Sequence, residues 1–104
     1  MRPESLSNPV VRRVIVAMRD GDRKSFLDAF ALGAEMTDDG TSQQLQTWAD
    51  REVFRSHGHL EVEREENDGL YLTGRYQSDQ WDMPTYWRFE VEEDKITRMD
   101  VGAL

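Results

Sequence analysis

The sequence of 104 residues contains no cysteine, and this absence removes several kinds of chemistry at once. Disulfide bonds, thiol nucleophiles and thiolate metal ligands are all excluded. No stretch approaches the ~20 consecutive apolar residues that a membrane-spanning helix needs. Residues 1–8 also lack an apolar run of signal-peptide length, so we expect a cytoplasmic protein with no membrane partner.

Positive charge is also scarce, because 13 lysines and arginines stand against 21 acidic residues, for a formal net charge of −8. An acidic surface repels the phosphates of nucleic acids and anionic lipids, so neither is an expected partner. The apolar residues nevertheless fall in periodic blocks, which is typical of a folded chain. We expect one domain over residues 1–104, with a frayed lead-in over residues 1–8.

The first part of the chain has the spacing of helices. Asn8 is a suitable N-cap and Pro9 a suitable first residue for one helix, whose apolar positions continue to Met18. After a break at residues 20–22, Asp22 can cap a second helix. Its apolar stripe is predicted to include Phe26, Leu27 and Phe30, and Gly33 is predicted to end it.

A short strand and a third helix are predicted next. Residues 34–37 suit a strand, and the Asp-Asp-Gly sequence at 38–40 suits a turn. Thr47 and Asp50 form a variant of the capping box, which predicts a helix over about Trp48 to Ser56. Gly58 suits the left-handed position after the end of that helix.

From His59 onward the period of the apolar residues changes to two, which predicts about four antiparallel strands. The Asn-Asp-Gly sequence at 67–69 favours a tight turn. A last strand is predicted over Ile96 to Ala103. The longest alternation places the following residues on one face: Trp81, Met83, Thr85, Trp87, Phe89 and Val91. The fold class is therefore α+β, with helices covering the apolar face of a curved sheet.

Several segments together carry a family resemblance that covers about Pro9 to Val101. They are the break at Asp20-Gly21-Asp22, the helix Phe26–Phe30, the helix Trp48–Phe54, and the strand Trp87-Arg88-Phe89 followed by Lys95-Ile96. In this order the chain resembles the SnoaL-like, or nuclear transport factor 2-like, superfamily. The resemblance implies a cystatin-like cone barrel, in which three N-terminal helices cover a cone-shaped, curved antiparallel sheet and enclose a pocket.

The resemblance also implies a range of functions, because the family includes isomerases, dehydratases, polyketide cyclases and non-catalytic binding modules. Its ketosteroid isomerases use an aspartate base and an oxyanion hole made by a tyrosine and a protonated acid. By position, the base falls on Asp38, the tyrosine on Val14 and the acid on Thr85. Valine cannot donate a hydrogen bond and threonine donates more weakly, so steroid isomerisation is not expected.

Two residues are candidates for acid–base catalysis, and each has a structural alternative. Asp38 is the candidate base, although Asp-Asp-Gly is also ordinary turn chemistry. His57 is the second candidate, because His57, His59 and Glu61 would share one side of a strand. A metal site at His57 and His59 is a third, weaker hypothesis, because two histidines and a carboxylate without a further motif are weak evidence for zinc. The same residues also suit a solvated face, so no metal site or cofactor is predicted.

A group of mainly apolar residues is predicted to bind a small apolar or aromatic molecule. Its members are Trp48, Trp81, Met83, Thr85, Trp87 and Met99. The alternative is that they fill the core, with Trp81 as the exception because it lies near a strand end. The outer face of the sheet carries Tyr71, Thr73, Tyr86 and Arg88, and the resemblance implies a homodimer through this face.

The predicted function is thus a small-molecule-binding or dimerisation module with an apolar pocket. The alternative is a cofactor-independent isomerase, dehydratase or cyclase. The sequence favours the module, because it lacks the full acid–base set and because packing explains its alternation.

Overall fold

The computed structural model describes residues 1–104 as a six-stranded sheet with three helices packed against it. The helices are α1 (Pro9–Asp20), α2 (Arg23–Asp28) and α3 (Leu45–Ala49). The strands are β1 (Phe30–Asp38), β2 (Thr41–Gln43), β3 (His59–Glu66), β4 (Tyr71–Gln77), β5 (Asp82–Glu92) and β6 (Lys95–Ala103). Short 3₁₀ turns form at Pro3–Ser5 and Asn67–Gly69, and a π-helical turn, Asp50–Phe54, continues α3.

The strands lie in the order β2-β1-β6-β5-β4-β3. The four strands from β3 to β6 pair antiparallel with one another, as the alternation predicts. β1 instead runs parallel to β6, so the prediction of a wholly antiparallel sheet is wrong for this pair. The α+β class and the curved sheet with three helices are confirmed. β2 and β3 are the two edge strands and do not pair with each other, so the sheet does not close into a barrel.

Helix α1 begins and ends as its sequence predicts. The side chain of Asn8 accepts hydrogen bonds from the backbone N–H groups of Val10 and Val11, at 2.9 and 3.1 Å. Gly21 ends the helix in the left-handed conformation, with φ of 67°. Asp22 then caps α2 by accepting from the N–H of Ser25 at 3.1 Å. These caps satisfy amide groups that a helix start leaves without partners.

The boundary between α2 and β1 differs from the prediction. α2 ends at Asp28, so Phe30 lies in β1, which is longer than the predicted strand over residues 34–37. Gly33 lies inside β1 with φ of 79°, at an irregularity in the pairing with β6. A glycine with positive φ suits a β-bulge as well as a helix end, and the sequence does not distinguish the two.

The lead-in over residues 1–8 is held against the body of the protein, in contrast to the predicted frayed end. Leu6 is buried in the core. The guanidinium group of Arg12 donates to the carbonyl oxygen of Leu6 from two nitrogens, at 3.0 and 2.8 Å. The N-terminal ammonium group donates to the carbonyl oxygen of Val62 at 3.0 Å.

The third helix begins earlier than predicted and has a different cap. Gln44 accepts a hydrogen bond from the N–H of Thr47 at 2.7 Å, so the predicted capping box of Thr47 and Asp50 is wrong. The left-handed position after the π-helical turn is taken by His57, with φ of 56°, and not by Gly58. Gly58 instead lies against Tyr76, whose hydroxyl group a Cβ atom at this position would overlap.

The alternation over β5 gives the apolar face that the sequence predicts. Thr85, Trp87 and Phe89 are buried, and Met83 and Val91 are half-buried. Trp81 lies just before the strand and is 51% exposed, so it is the exception that its position indicates. None of the helices has the length and apolar character needed to cross a membrane.

Candidate functional site

One cavity lies between the α3 region and the ends of β1, β4, β5 and β6, with a volume of about 240 Å³. Its apolar and aromatic lining residues are Trp48, Tyr76, Trp81, Met83, Trp87, Val101 and Ala103. Its other lining residues are Asp38, Asp39, Glu52, Thr85 and Gly102. All three tryptophans of the chain therefore line this one cavity.

Asp38 and Trp48 meet at one side of the cavity. Asp38 is the last residue of β1 and is half-buried, whereas Trp48 is in α3 and is almost fully buried. The indole Nε1–H of Trp48 donates to Oδ2 of Asp38 at 2.8 Å. This hydrogen bond ties α3 to the end of β1 and holds the carboxylate at the cavity wall.

Trp87 and Thr85 lie two residues apart on the inner face of β5. The indole Nε1–H of Trp87 donates to the hydroxyl oxygen of Thr85 at 2.9 Å. The Thr85 hydroxyl in turn donates to the carbonyl oxygen of Gly74 at 3.1 Å. The hydroxyl proton is therefore already used, and Thr85 cannot offer it to a ligand oxygen as an oxyanion hole requires.

Tyr76 packs against Trp87, with ring centroids 5.7 Å apart, and its hydroxyl donates to the backbone carbonyl oxygen of Glu52. A Cβ atom at Gly58 would overlap the Tyr76 hydroxyl and this carbonyl group, so only glycine permits the contact. Burial, together with the negative charges of Glu52 and Asp38, raises the pKa of Tyr76 above its usual range. The tyrosine therefore stays neutral and hydrogen-bonded.

Asp39 follows the last residue of β1 and lies beside the end of β6, next to residues 101–103 of the cavity wall. Its Oδ1 atom accepts a hydrogen bond from the backbone N–H of Ala103 at 2.8 Å, and its own N–H donates to the carbonyl oxygen of Val101 at 2.9 Å. A side chain at Gly102 would collide with Asp39 and with the ring of Tyr86. Gly102 therefore lets the Asp39 carboxylate approach the strand.

The charges at the cavity have one sign. Asp38, Asp39 and Glu52 are its ionisable carboxyl groups, and no lysine, arginine or histidine is among the lining residues. Glu52 is paired outside the apolar part of the wall with Arg51, at 2.9 Å between Nε and Oε2. Asp38 and Asp39 form no ion pair. The cavity is thus an aromatic chamber with an acidic rim.

The structure brings most of the predicted site residues together. Six of them line the cavity: Asp38, Trp48, Trp81, Met83, Thr85 and Trp87. Met99 does not, because its side chain is fully buried in the core. The structure thus gives the positions of these residues, and their roles in binding or catalysis stay predictions.

His57 lies away from the cavity, before β3 and at the protein surface. Its Nδ1 atom is 2.8 Å from Oδ2 of Asp79, and both side chains are largely exposed. His57 precedes the strand in the left-handed conformation, so it does not share a strand face with His59. No group of three histidine, cysteine or acidic residues is placed to hold a metal ion.

Asp39 and Glu52 are cavity residues that the sequence analysis does not single out. Asp39 is part of an apparent turn, and only the parallel pairing of β1 with β6 places it beside residues 101–103. Glu52 lines the cavity from within the π-helical turn that continues α3. Non-local pairing and a π-helical turn leave little signal in a sequence.

No protein-family model matches the chain, and no curated protein has a significantly similar sequence. Solved structures do match. A proposed polyketide cyclase from Sinorhizobium meliloti is 16% identical with a TM-score of 0.78, over 97% of this chain and 99% of that chain. An NTF2-like protein of unknown function from Cytophaga hutchinsonii is 10% identical with a TM-score of 0.76, over 88% of this chain and 84% of that chain.

The chain is also similar to part of the Orange Carotenoid Protein from Anabaena, in a structure binding canthaxanthin. The identity is 17% and the TM-score 0.74, over 97% of this chain but only 38% of that chain. Identities this low establish the fold and leave the activity open. The resemblance inferred from the sequence is therefore confirmed at the level of the fold, and the chain has the SnoaL-like, or nuclear transport factor 2-like, fold.

Proposed function

We propose that this protein is a small-molecule-binding module whose ligand is a compact aromatic or apolar molecule held in the cavity. The observation that carries this proposal is the arrangement of Trp48, Tyr76 and Trp87 around a space that they do not fill. Each of these rings is fixed by a hydrogen bond from its polar atom to the protein. A rigid aromatic wall favours binding, because little conformational freedom is lost when a ligand enters.

The size of the cavity limits the ligand. A volume of about 240 Å³ is larger than the ~150 Å³ that accommodates benzene and smaller than most pockets for drug-sized ligands. One ring with a short chain suits this space. The similar proteins support an apolar ligand in general, since one is a proposed polyketide cyclase and another was solved with canthaxanthin.

Tryptophan fluorescence tests the proposal directly, because every tryptophan of the chain lines the cavity. We expect single-ring compounds to change the emission and to raise the melting temperature, with a rise that grows as the logarithm of the ligand concentration above the dissociation constant. Ala103→Phe, at the cavity wall, should remove both effects by filling the space. Glu61→Phe places the same ring on an exposed position of β3 and should leave them unchanged. Equal binding by both variants would contradict the proposed site.

A catalytic role is the second candidate, and it depends on the position of Asp38 at the cavity wall. A carboxylate at this place suits a general base in an isomerase, dehydratase or cyclase without a cofactor. The neighbouring hydroxyl of Thr85 offers no donor to a developing oxyanion, and Val14 is buried in the core. Turnover that Asp38→Asn abolishes, while binding persists, would establish this role. Turnover unchanged in that variant would exclude Asp38 as the base.

Self-association through the outer face of the sheet is also proposed. On this face Tyr71 and Tyr86 stack with ring centroids 6.5 Å apart, and Arg88 lies 5.4 and 5.7 Å from the two centroids. The residues predicted to meet a second chain thus form one ordered patch. Sedimentation of the wild type and of Tyr86→Lys tests it, since a dimer through this patch should become monomeric in the variant. A dimer that persists in the variant would place the interface elsewhere.

A further inference from the structure

We propose that the cavity selects an organic ammonium ion, a protonated alkylamine that carries one aromatic ring, over neutral and acidic ligands of the same shape. This inference rests on the proposed function and names the class of ligand. It follows from which hydrogen-bond donors and acceptors of the cavity wall are not used within the protein.

The hydrogen-bond donors of the wall are mostly used within the protein. The indole N–H groups of Trp48 and Trp87 donate to Asp38 and to Thr85. The hydroxyl groups of Tyr76 and Thr85 donate to backbone carbonyl oxygens. The exception is the indole N–H of Trp81, which makes no hydrogen bond and lies at the exposed rim. A ligand acceptor therefore finds almost no donor inside the cavity.

The acceptors, in contrast, have capacity left. Asp38 receives one indole N–H on Oδ2, and Asp39 receives one backbone N–H on Oδ1. A carboxylate offers about four lone-pair positions, so Asp38 can accept further hydrogen bonds from a ligand in the cavity. Oδ1 of Asp39 lies against Gly102 and the ring of Tyr86, so Asp39 contributes negative charge at the rim. An ionised carboxylate can form hydrogen bonds only with donor groups, and an ammonium group offers three N–H donors.

The charge at the cavity favours the same class of ligand. Asp38 and Asp39 have no basic partner, whereas Glu52 forms an ion pair with Arg51. A carboxylate ligand would meet like charge, whereas an ammonium group would neutralise it. Asp38 is half-buried, so its attraction for a cation is screened less than that of a surface aspartate.

The aromatic walls add to this preference. The rings of Trp48 and Trp87 are 6.1 Å apart and inclined at 69°, and Tyr76 packs beside Trp87. Asp38 lies at the N–H edge of Trp48 and not over its ring. A cation held by Asp38 therefore takes its cation–π contact from the faces of Trp87 and Tyr76, which line the same cavity. The apolar body of the ligand then fills the remaining space toward Met83 and Val101.

Three probes of one shape separate charge from size: phenethylamine, which is protonated at neutral pH, phenethyl alcohol and phenylacetate. Titration calorimetry and tryptophan fluorescence give the dissociation constants at low and at physiological ionic strength. We expect the amine to bind about tenfold or more tightly than the alcohol, as a charged hydrogen bond predicts. Phenylacetate should be the weakest of the three.

Matched variants separate the cavity charge from the net charge of −8. Asp38→Asn should weaken amine binding about tenfold and leave the alcohol unchanged. Glu61→Gln removes one negative charge from an exposed position on β3 and should change both by less than about twofold. The melting temperature of each variant without ligand controls for loss of folding.

The outcomes distinguish this inference from the proposed function on which it rests. If the alcohol or phenylacetate binds as tightly as the amine, the cavity is a binding site without the proposed selectivity, and the inference is wrong. If Glu61→Gln weakens amine binding as much as Asp38→Asn, the preference is a general effect of net charge, and the inference also fails. If no probe binds, both proposals fail.

Discussion

Aromatic side chains cluster at two ends of the apolar interior, and the clusters differ in whether their rings carry a polar atom. At the first end Phe26 packs on Phe30 and Phe54, with ring centroids 5.2 and 5.3 Å apart. At the other end Trp48, Tyr76 and Trp87 surround the cavity. β1 and β6 connect the two, since their parallel pairing runs from Phe30 beside Ile96 to Asp38 beside Val101.

Phenylalanine has no polar atom, so the first end gains stability only by close packing. Tryptophan and tyrosine carry an N–H or O–H group that must find a partner when it is buried. Those partners fix the rings of the second end at the cavity wall. The kind of aromatic residue, and not the number, therefore distinguishes the phenylalanine cluster, here named the closed end, from the end that holds the cavity, here named the open end.

The largest expected effect is at the closed end. Phe26→Ala removes a fully buried ring and should lower the free energy of unfolding by about 3–5 kcal/mol, measured by urea denaturation. Phe26→Leu fills more of the space and should cost less. Because the cavity is at the other end, ligand affinity measured on the folded fraction should stay the same. A large loss of affinity in folded Phe26→Ala would show that the two ends are not independent.

The next effect concerns the hydrogen bonds of the open end. Thr85→Val keeps the shape of the side chain but leaves the buried indole N–H of Trp87 without its acceptor. The expected loss in the free energy of unfolding is about 1–3 kcal/mol. Thr85→Ser keeps the hydroxyl group and should retain most of the stability. If Thr85→Val is as stable as the wild type, a water molecule or a rotated ring replaces this hydrogen bond.

The open end should also be the one that alkali destabilises. The pKa of Tyr76 is raised by burial and by Glu52 and Asp38, above the ordinary value of 10.0 that holds in the unfolded chain. The folded state therefore keeps a proton that the unfolded state loses above that value. The free energy of unfolding should fall by about 1.4 kcal/mol per pH unit between the two pKa values. Below pH 10.0 both states keep the Tyr76 proton, so the free energy of unfolding does not depend on the titration of this residue.

Tyr76→Phe provides the control for this effect. The variant loses the hydrogen bond to Glu52, so it should be less stable at neutral pH. It should also lose the alkaline slope that Tyr76 contributes, when thermal unfolding is followed from pH 8 to pH 11. Equal slopes in the wild type and the variant would contradict the raised pKa, because the other titrating groups are the same.

The sequence predicts the parts of the fold that depend on local patterns. Asn8, Pro9 and Gly21 set the bounds of α1, and the alternation of β5 identifies its buried face, including Trp87. The length of β1 is not predicted, because Gly33 at positive φ is read as the end of a helix. Its parallel pairing with β6 depends on contacts between residues more than 60 positions apart, which no local pattern contains.

The candidate site follows the same division. Trp81 and Trp87 are found by the sequence because they alternate with polar residues along the predicted strand that corresponds to β5, and Trp48 is found because it belongs to the predicted third helix. Glu52 is missed because it lies in a π-helical turn, which leaves little signal in a sequence. His57 is wrongly grouped with His59 as strand neighbours, because the left-handed turn before β3 is not visible in the sequence. Of the three carboxylates at the cavity, Asp38 is thus found from the sequence, whereas Asp39 and Glu52 need the structure.

The smallest expected effect on stability is at the rim of the open end. Trp81 is 51% exposed, so Trp81→Ala should change the free energy of unfolding by no more than about 0.5 kcal/mol. Its ring nevertheless lines the cavity, and its loss should weaken phenethylamine binding severalfold. Trp81→Phe keeps a ring and should restore most of the affinity. Phe26→Ala should show the opposite pattern, so a Trp81→Ala variant that loses stability but keeps its affinity would end the distinction between the two ends.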